Sequence, residues 1–365
     1  MLPYADEIID VPSVPRGKLA AIAGLKNTVT GDFVTLNASV ASAAKKVLSK
    51  YEAESPQADF SQPPKTPVPV FYCSIGVPTK ECQIPLELAL QHLQREDPSL
   101  VVTKDEMTGQ TFLGGMGELH LSAVKTKIIS DYKINVSLGS LRIAYHEIPQ
   151  KVNIKNSHML EYKTDNSRQN VSLIMTLLAQ SKEDKDTVLL DKSPDSAANI
   201  ANLNSRYLLA IIQGVNRALL HGPKVRCPVV GTCVMLHWFE TSKGTTEQIV
   251  STAASQCVQK LLKAVGTRLL EPIMTVEILC GHDTSSAVMP DLLHRRGQIV
   301  KVTQRGQQMV IDAKVPLAEL SNYAMDLQKL SQKTGSFTML LDCYKAMSPT
   351  DETKAVKKVT GLNSQ

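Results

Sequence analysis

Two stretches of the chain, residues 68–139 and 272–344, carry the same order of apolar periodicities, and this repetition limits the fold most. In the first, "VPVFYCSIGV" (68–77) reads as a strand. Leu86, Ala89, Leu90 and Leu93 then fall at i, i+3, i+4 and i+7, one face of a helix. "SLVVTK" (99–104) and "GQTFLGG" (109–115) read as a hairpin around "DEMTG", Leu121, Val124 and Ile128 stripe a second helix, and "INVSLG" (134–139) closes as a strand. The order βαββαβ is the ferredoxin-like plan.

The second stretch runs "IMTVEILC" (273–280), a helix over 285–295, the strands "IVKVT" and "MVIDAKV" around "QRGQ", a helix marked by Leu320, Tyr323, Ala324 and Leu327, and "SFTMLLD" (336–342). Glu118-Leu119 and Glu319-Leu320 hold the same place in each, 319 − 118 = 201 residues apart. The expected class is α+β, with a structural duplication.

Between the copies, residues 142–271 read as a third unit, with strands near 171–179 and 229–240. Its helices lie near 204–220 (Leu208, Ile211, Val215, Leu219) and 245–263, and a polar loop spans 181–200. Residues 18–36 alternate short apolar runs with "TGD", as the last strands of a barrel would. The Pro-rich "ESPQADFSQPPKTPVP" marks the clearest boundary. The expected division is 1–48, a partial β-barrel remnant; 49–66, linker; 67–141, ferredoxin-like; 142–271, the middle domain; 272–346, ferredoxin-like; and 347–365, tail. Hinges are expected near 66, 141 and 271. "MLPYADEIIDVPSVPRGK" has no charged region leading into an apolar one and reads as the interior of a β-domain, so a fragment or an alternative start is expected.

Composition narrows the chemistry. Aromatics are 4% of 365 residues, with one tryptophan, Trp238, which argues against a base-stacking single-strand binder. A net charge of +5 suits an RNA surface without requiring one. No apolar run approaches the roughly 18–20 residues of a membrane span. Seven cysteines without a CxxC pair read as reduced, mostly buried thiols. Eight histidines without HxxxH or HExxH spacing give zinc no support.

"LGGMGELHLS" (113–122) is glycine-rich at a strand end, but a phosphate loop needs GxxxxGK[ST], and Glu118 would set a carboxylate where an anion should bind. Gly114, Gly115, Gly117 and Glu118 therefore read as a strand-to-helix hinge, with Glu118 suited to the helix N-terminus. His120, a lone helical histidine, reads as a packing residue. "LHRRGQIVKVTQRG" groups His294, Arg295, Arg296, Lys301 and Arg305, a candidate phosphate-binding cluster for RNA or, equally, a solvated helix end.

"GQTFLGGMGELHLS", "LQREDPSLVV" and "RIAYHE" resemble the third domain of elongation factor G-type translational GTPases. "LLEPIMTVEI", "DLLHRRGQIV" and "VPLAELSNYAMDLQKLSQKTGSFTM" resemble the fifth. The likeness covers nearly the whole chain and is greatest to the mitochondrial recycling branch. It implies domains III and V flanking a ribosomal-protein-S5-domain-2-like domain IV, with no counterpart of the GTPase domain. It further implies a mitochondrial matrix location, binding to the mitochondrial ribosome as a monomer off the membrane, and splitting of its subunits with ribosome recycling factor. GTP and Mg belong only to a full-length parent; no catalytic or metal residue is assigned here. The alternative is a translocase moving tRNA and mRNA.

The family's domain IV tip corresponds to two polar loops. The first holds Lys163, Asn166, Ser167, Arg168 and Gln169, where the family usually has "GGRGQ". The second holds Thr241, Ser242, Lys243, Gly244 and Thr245, where translocases generally carry a histidine. His146 stands where the family usually has arginine and is expected to act at the junction of domains III and IV. A stand-alone enzyme has no triad, metal cluster or phosphate loop to support it.

Overall fold

The computed structural model describes residues 2–360 apart from 5–6, 23, 26–27, 31, 33, 55–65, 67, 106–108, 153, 165–166, 181–185, 202, 243 and 307. The chain divides into two compact units, Met1–Leu141 and Arg142–Gln365.

The first unit opens with a short antiparallel pair, β1 (Leu2–Tyr4) and β2 (Glu7–Ile9), and a helix, α1 (Ala38–Glu54). Then come β3 (Phe71–Gly76), α2 (Gln83–Glu96), β4 (Val101–Lys104), β5 (Thr111–Gly115), α3 (Glu118–Asp131) and β6 (Ser137–Leu138). The strands lie in the order β4-β5-β3-β6. The apolar stripes do what their spacing requires. Leu86, Ala89, Leu90 and Leu93 of α2, and Leu121, Val124 and Ile128 of α3, bury with Cys73, Ile75 and Leu113 in one core.

The second unit contains β7 (Arg142–Ile143), β8 (His146–Pro149), β9 (Ile154–Thr164), β10 (Ser167–Ala179), β11 (Val188–Leu190), α4 (Pro194–Ala201), α5 (Ser205–Leu220), β12 (Thr232–Thr241) and α6 (Glu247–Val265). It continues through β13 (Thr267–Gly281), α7 (His282–His294), β14 (Gln298–Arg305), β15 (Gln308–Pro316), α8 (Tyr323–Leu330), β16 (Ser336–Ala346) and α9 (Pro349–Thr360). One sheet runs β11-β12-β10-β9; the other runs β14-β15-β13-β16, with β8 also on β13. The path second-third-first-fourth strand is the same in this sheet and in β4-β5-β3-β6, so the repeated order is a repeated topology.

The middle sheet buries Val171, Leu173, Met175 and Leu177 of β10, with Val234 and Leu236 of β12, against α5 and α6. Asn204 caps α5 by accepting from the Arg206 amide at 3.0 Å. Gly266, at φ +71°, ends α6 and returns its amide to Leu262 O at 3.0 Å.

Two expectations, for 18–36 and for 181–200, need correction. Among the described residues of 18–36 no strand forms. Leu19 and Leu36 are 84% and 96% exposed, where a barrel strand would bury alternate side chains against a core. The loop expected over 181–200 contains β11, parallel to β12, and α4. The tail contains α9. The boundary at 271/272 falls inside β13, which has no break there.

Among the described residues no helix is long and apolar enough to cross a membrane, and no group of three His, Cys, Asp or Glu could hold a metal ion.

Candidate functional site

The long hairpin β9–β10 forms the tip region. Its register runs from Leu177↔Ile154 to Ser167↔Thr164. The last rung shared with β12 is Val171↔Thr241. The four residues from Val171 to Ser167, at about 3.4 Å each, carry the hairpin about 14 Å past that rung. Lys163 is opposed to Arg168 and Tyr162 to Gln169. Asn166 lies outside the described residues.

The second loop sits at the base of this projection and is tied to it. The Asn170 amide donates to Ser242 Oγ at 2.9 Å, and the Ser242 amide donates to Asn170 O at 3.0 Å. Thr245 Oγ donates to Ser242 O at 2.9 Å, and the Tyr207 hydroxyl to Thr245 O at 3.1 Å. Thr241 closes β12, Gly244 turns at φ +83°, and Thr245 is buried. Lys243 lies outside the described residues. The Ser242 and Thr245 hydroxyls are engaged within the turn and with Asn170.

At the glycine run, close approach explains two residues. A Cβ on Gly114 would sit 2.6 Å from the Tyr72 ring, and one on Gly115 2.9 Å from Leu121 Cδ2. Gly117 is extended at φ 176° with open space around it, so neither backbone nor room demands glycine there. Glu118 begins α3. The Met116 amide donates to His120 Nδ1 at 3.2 Å, which leaves Nε2–H facing Asp97 Oδ2 at 2.8 Å. His120 thus latches the bend to the end of α2.

The basic cluster separates into two groups. Arg295 Nε meets Asp291 at 2.9 Å, its Nη1 donates to Glu319 O at 2.7 Å, its Nη2 meets Asp326 at 2.7 Å, and its guanidinium lies 4.9 Å from the Tyr323 ring centre. Arg296 forks onto Glu271 at 2.9 and 3.0 Å and also reaches Glu319 at 3.0 Å and Asp351 at 3.1 Å. Both guanidiniums are committed to their own sheet and helices. His294, Lys301 and Arg305 are exposed and make no ion pair among the described residues. Lys301 and Arg305 stand on β14, at the edge of its sheet.

Residues 66–140 match the family model described as elongation factor G, domain III, and residues 268–354 match elongation factor G C-terminus. Two stretches of the chain are thus similar to domains of elongation factor G. It is 42% identical over 373 residues to ribosome-releasing factor 2, mitochondrial, of Drosophila virilis, covering 99% of this chain and 52% of that protein. The same-named protein of Drosophila melanogaster is 39% identical, over 99% of this chain and 50% of its own length. The chain therefore spans about half the length of these curated relatives. A crystal structure of a Thermus thermophilus protein superposes with a TM-score of 0.59 at 26% identity, over 82% of this chain and 44% of that one.

A half-buried polar row escaped the sequence reading. Asp191 Oδ2 lies 2.5 Å from His237 Nδ1, and His237 Nε2 lies 2.7 Å from Thr176 Oγ. Ser193 donates to Asp191 through its amide and its hydroxyl. These bonds, led by the one to His237, hold the Asp191 carboxyl far below the usual range. The order is that of a nucleophilic triad, but Thr176 is only 8% exposed and sits inside the β10 ladder. The row instead pins the β11–α4 turn to β12, where the register shifts between Ile174 and Met175 and leaves His237 as the extra residue. Positions 176, 191 and 237 share no spacing signal. His146 packs its ring 4.2 Å from that of Tyr344, inside the second unit, and burial lowers its pKa.

Several aspartates in this framework sit below the ordinary value of 3.8. For Asp97, burial pulls upward but is outweighed by hydrogen bonds from Ser99 and by His120. For Asp326, the Arg295 hydrogen bond dominates; for Asp351, it is the Ser348 hydrogen bond, with burial opposing and Arg296 adding. A carboxyl lowered on folding adds stability above its unfolded pKa and loses it as pH falls through the folded one. The urea midpoint should begin to fall below about pH 6.5, where the unfolded chain protonates His146 before the folded one does, and drop further below about pH 4, and Asp326→Asn should make that second drop shallower. A midpoint that rises on acidification would contradict this.

Proposed function

We propose that this chain is the ribosome-binding portion of a mitochondrial translation factor that splits post-termination ribosomes into subunits with ribosome recycling factor. The relatives named ribosome-releasing factor 2, mitochondrial, support recycling over translocation. In this reading the chain works as a monomer in the matrix. The nucleotide chemistry, GTP with Mg, lies in a longer parent. The middle and C-terminal sheets serve as domains IV and V.

The carrying observation in the structure is the opposition of Lys163 and Arg168 near the end of the projecting hairpin. Two basic residue types at paired register positions suit an anionic partner such as a phosphate backbone. Lys301 and Arg305, with His294 in the same stretch, provide a second, separate set of exposed basic residues.

Purified mitochondrial ribosomes test this directly. The Lys163→Ala, Arg168→Ala double variant should bind about tenfold more weakly near physiological salt, with the slope of log affinity against log salt reduced by roughly 1–2. Unchanged affinity and slope would remove the tip from the interface. Splitting activity with recycling factor, against tRNA movement in a translocation assay, separates recycling from the alternative when the parent factor is used.

A further inference from the structure

The strand that joins the two sheets of the second unit is paired along its whole length. β13 meets β8 over Thr267–Leu270, β16 from Leu270 to Leu279, and β15 from Ile273 to Gly281. A hinge needs a few residues free to change φ and ψ. Here any such change breaks ladder hydrogen bonds.

Beside the start of β13 lies Glu147 of β8, with 0% of its surface exposed. Among the described residues no cationic side chain meets its carboxylate. It accepts from the Lys224 and Val225 amides at 3.2 and 3.1 Å and from Thr267 Oγ at 2.6 Å. Its own amide donates to Pro228 O at 2.8 Å, and its carbonyl accepts from the Val230 amide at 2.9 Å. Gly222 makes room: a Cβ there would sit 2.4 Å from the Glu147 carboxyl carbon.

Residues 221–231 are the connection from α5 to β12, part of the middle sheet's own domain. A buried carboxyl on β8 therefore holds the middle domain's loop onto the strand that enters the C-terminal sheet.

From the other side α9 straps the same place. Glu352 accepts from the Leu269 amide at 3.2 Å and pairs with Lys224 Nζ. The Met347 amide donates to Leu269 O at 2.9 Å, and Arg268 Nη2 to Met347 O at 3.0 Å. Tyr145, Leu269, Met347 and Ala355 of the helix meet in one apolar cluster.

We infer that Glu147 is the pin of a rigid joint, so that residues 142–365 move as a single stiff arm with no hinge near 271. The arm carries a displacement of the C-terminal sheet to the β9–β10 hairpin undiminished. This holds whether or not the partner is a ribosome, and it is tested without one.

Amide hydrogen exchange on the intact chain should show 269–275 as slow as 276–279 in the centre of β13. Glu147→Gln keeps the shape but turns an N–H₂ group toward the amide donors. Exchange at 224–230 and 269–270 should then rise at least tenfold, while 234–236 and 310–313 stay protected. Should that variant fail to fold, Thr267→Val should give the same pattern more weakly. Nitroxides carried on ketone side chains at positions 240 and 338, both exposed, should report one narrow distance in the native chain and a broader one in Glu147→Gln. Faster exchange at 269–275 than in both flanking sheets, a broad native distance, or unchanged protection at 224–230 in Glu147→Gln would each overturn the joint.

Discussion

Arg296→Ala should destabilise the second unit by about 3 kcal/mol, lowering its melting temperature by roughly 6–12 °C. Arg296 forks onto Glu271, which is only 6% exposed, and also neutralises Glu319 and Asp351. Removing it leaves three carboxylates around an empty position, one of them buried. Breaking a fully buried pair costs about 3–5 kcal/mol, and the partial exposure of Arg296 puts the expectation at the lower end. Its backbone, at φ +58°, adds strain that alanine tolerates no better. Arg296→Lys should recover only part of the loss, because an ammonium cannot reproduce the planar fork. Urea unfolding measures this. If stability stayed unchanged while ribosome binding fell, Arg296 would be a contact residue and the ion-pair reading would fail.

Gly214→Ala should cost about 2–3 kcal/mol, against the direction helix propensity alone dictates. In an exposed helix the change gains up to about 1 kcal/mol. Here a Cβ would lie 2.2 Å from the Ser251 carbonyl oxygen of α6 and 3.0 Å from Ala254 Cβ. The first obstacle is backbone, so no rotamer change relieves it and the two helices must separate. Separation opens the core formed by Ile211, Val215, Ala218, Val250, Ala254 and Val258, and overpacking of this kind typically costs about 1–3 kcal/mol. A variant more stable than the native chain in a urea titration would show that α5 and α6 do not pack this closely.

The regular elements were legible because their signal is local. The stripes Leu86-Ala89-Leu90-Leu93 and Leu121-Val124-Ile128 each have one face to bury, and the spacing names it. The α5 stripe behaved the same way. β11 was hidden because three residues are too few to show a period, and α4 because the Asp191 and Ser193 before it and its own Asn199 look like loop residues. In the fold Asn199 exchanges two hydrogen bonds of 2.9 Å with Phe239 on the β12 edge. The apolar alternation of 18–36 misled in the opposite sense, since a strand also needs a partner.

By itself, then, the order of residues determined the duplicated βαββαβ plan, the helix faces and the likeness to elongation factor G, because each is carried by side chains a few positions apart. Only the tertiary structure decided what the charged and polar residues do. It committed Arg295 and Arg296 to internal carboxylates and left Lys301 and Arg305 exposed, though all four sit within eleven positions of one another. It spent Ser242 and Thr245 on a turn, and it buried Glu147 where amides 77 and 78 residues away could meet it. A charge acquires its role from the groups that surround it in space, and those come from distant parts of the chain.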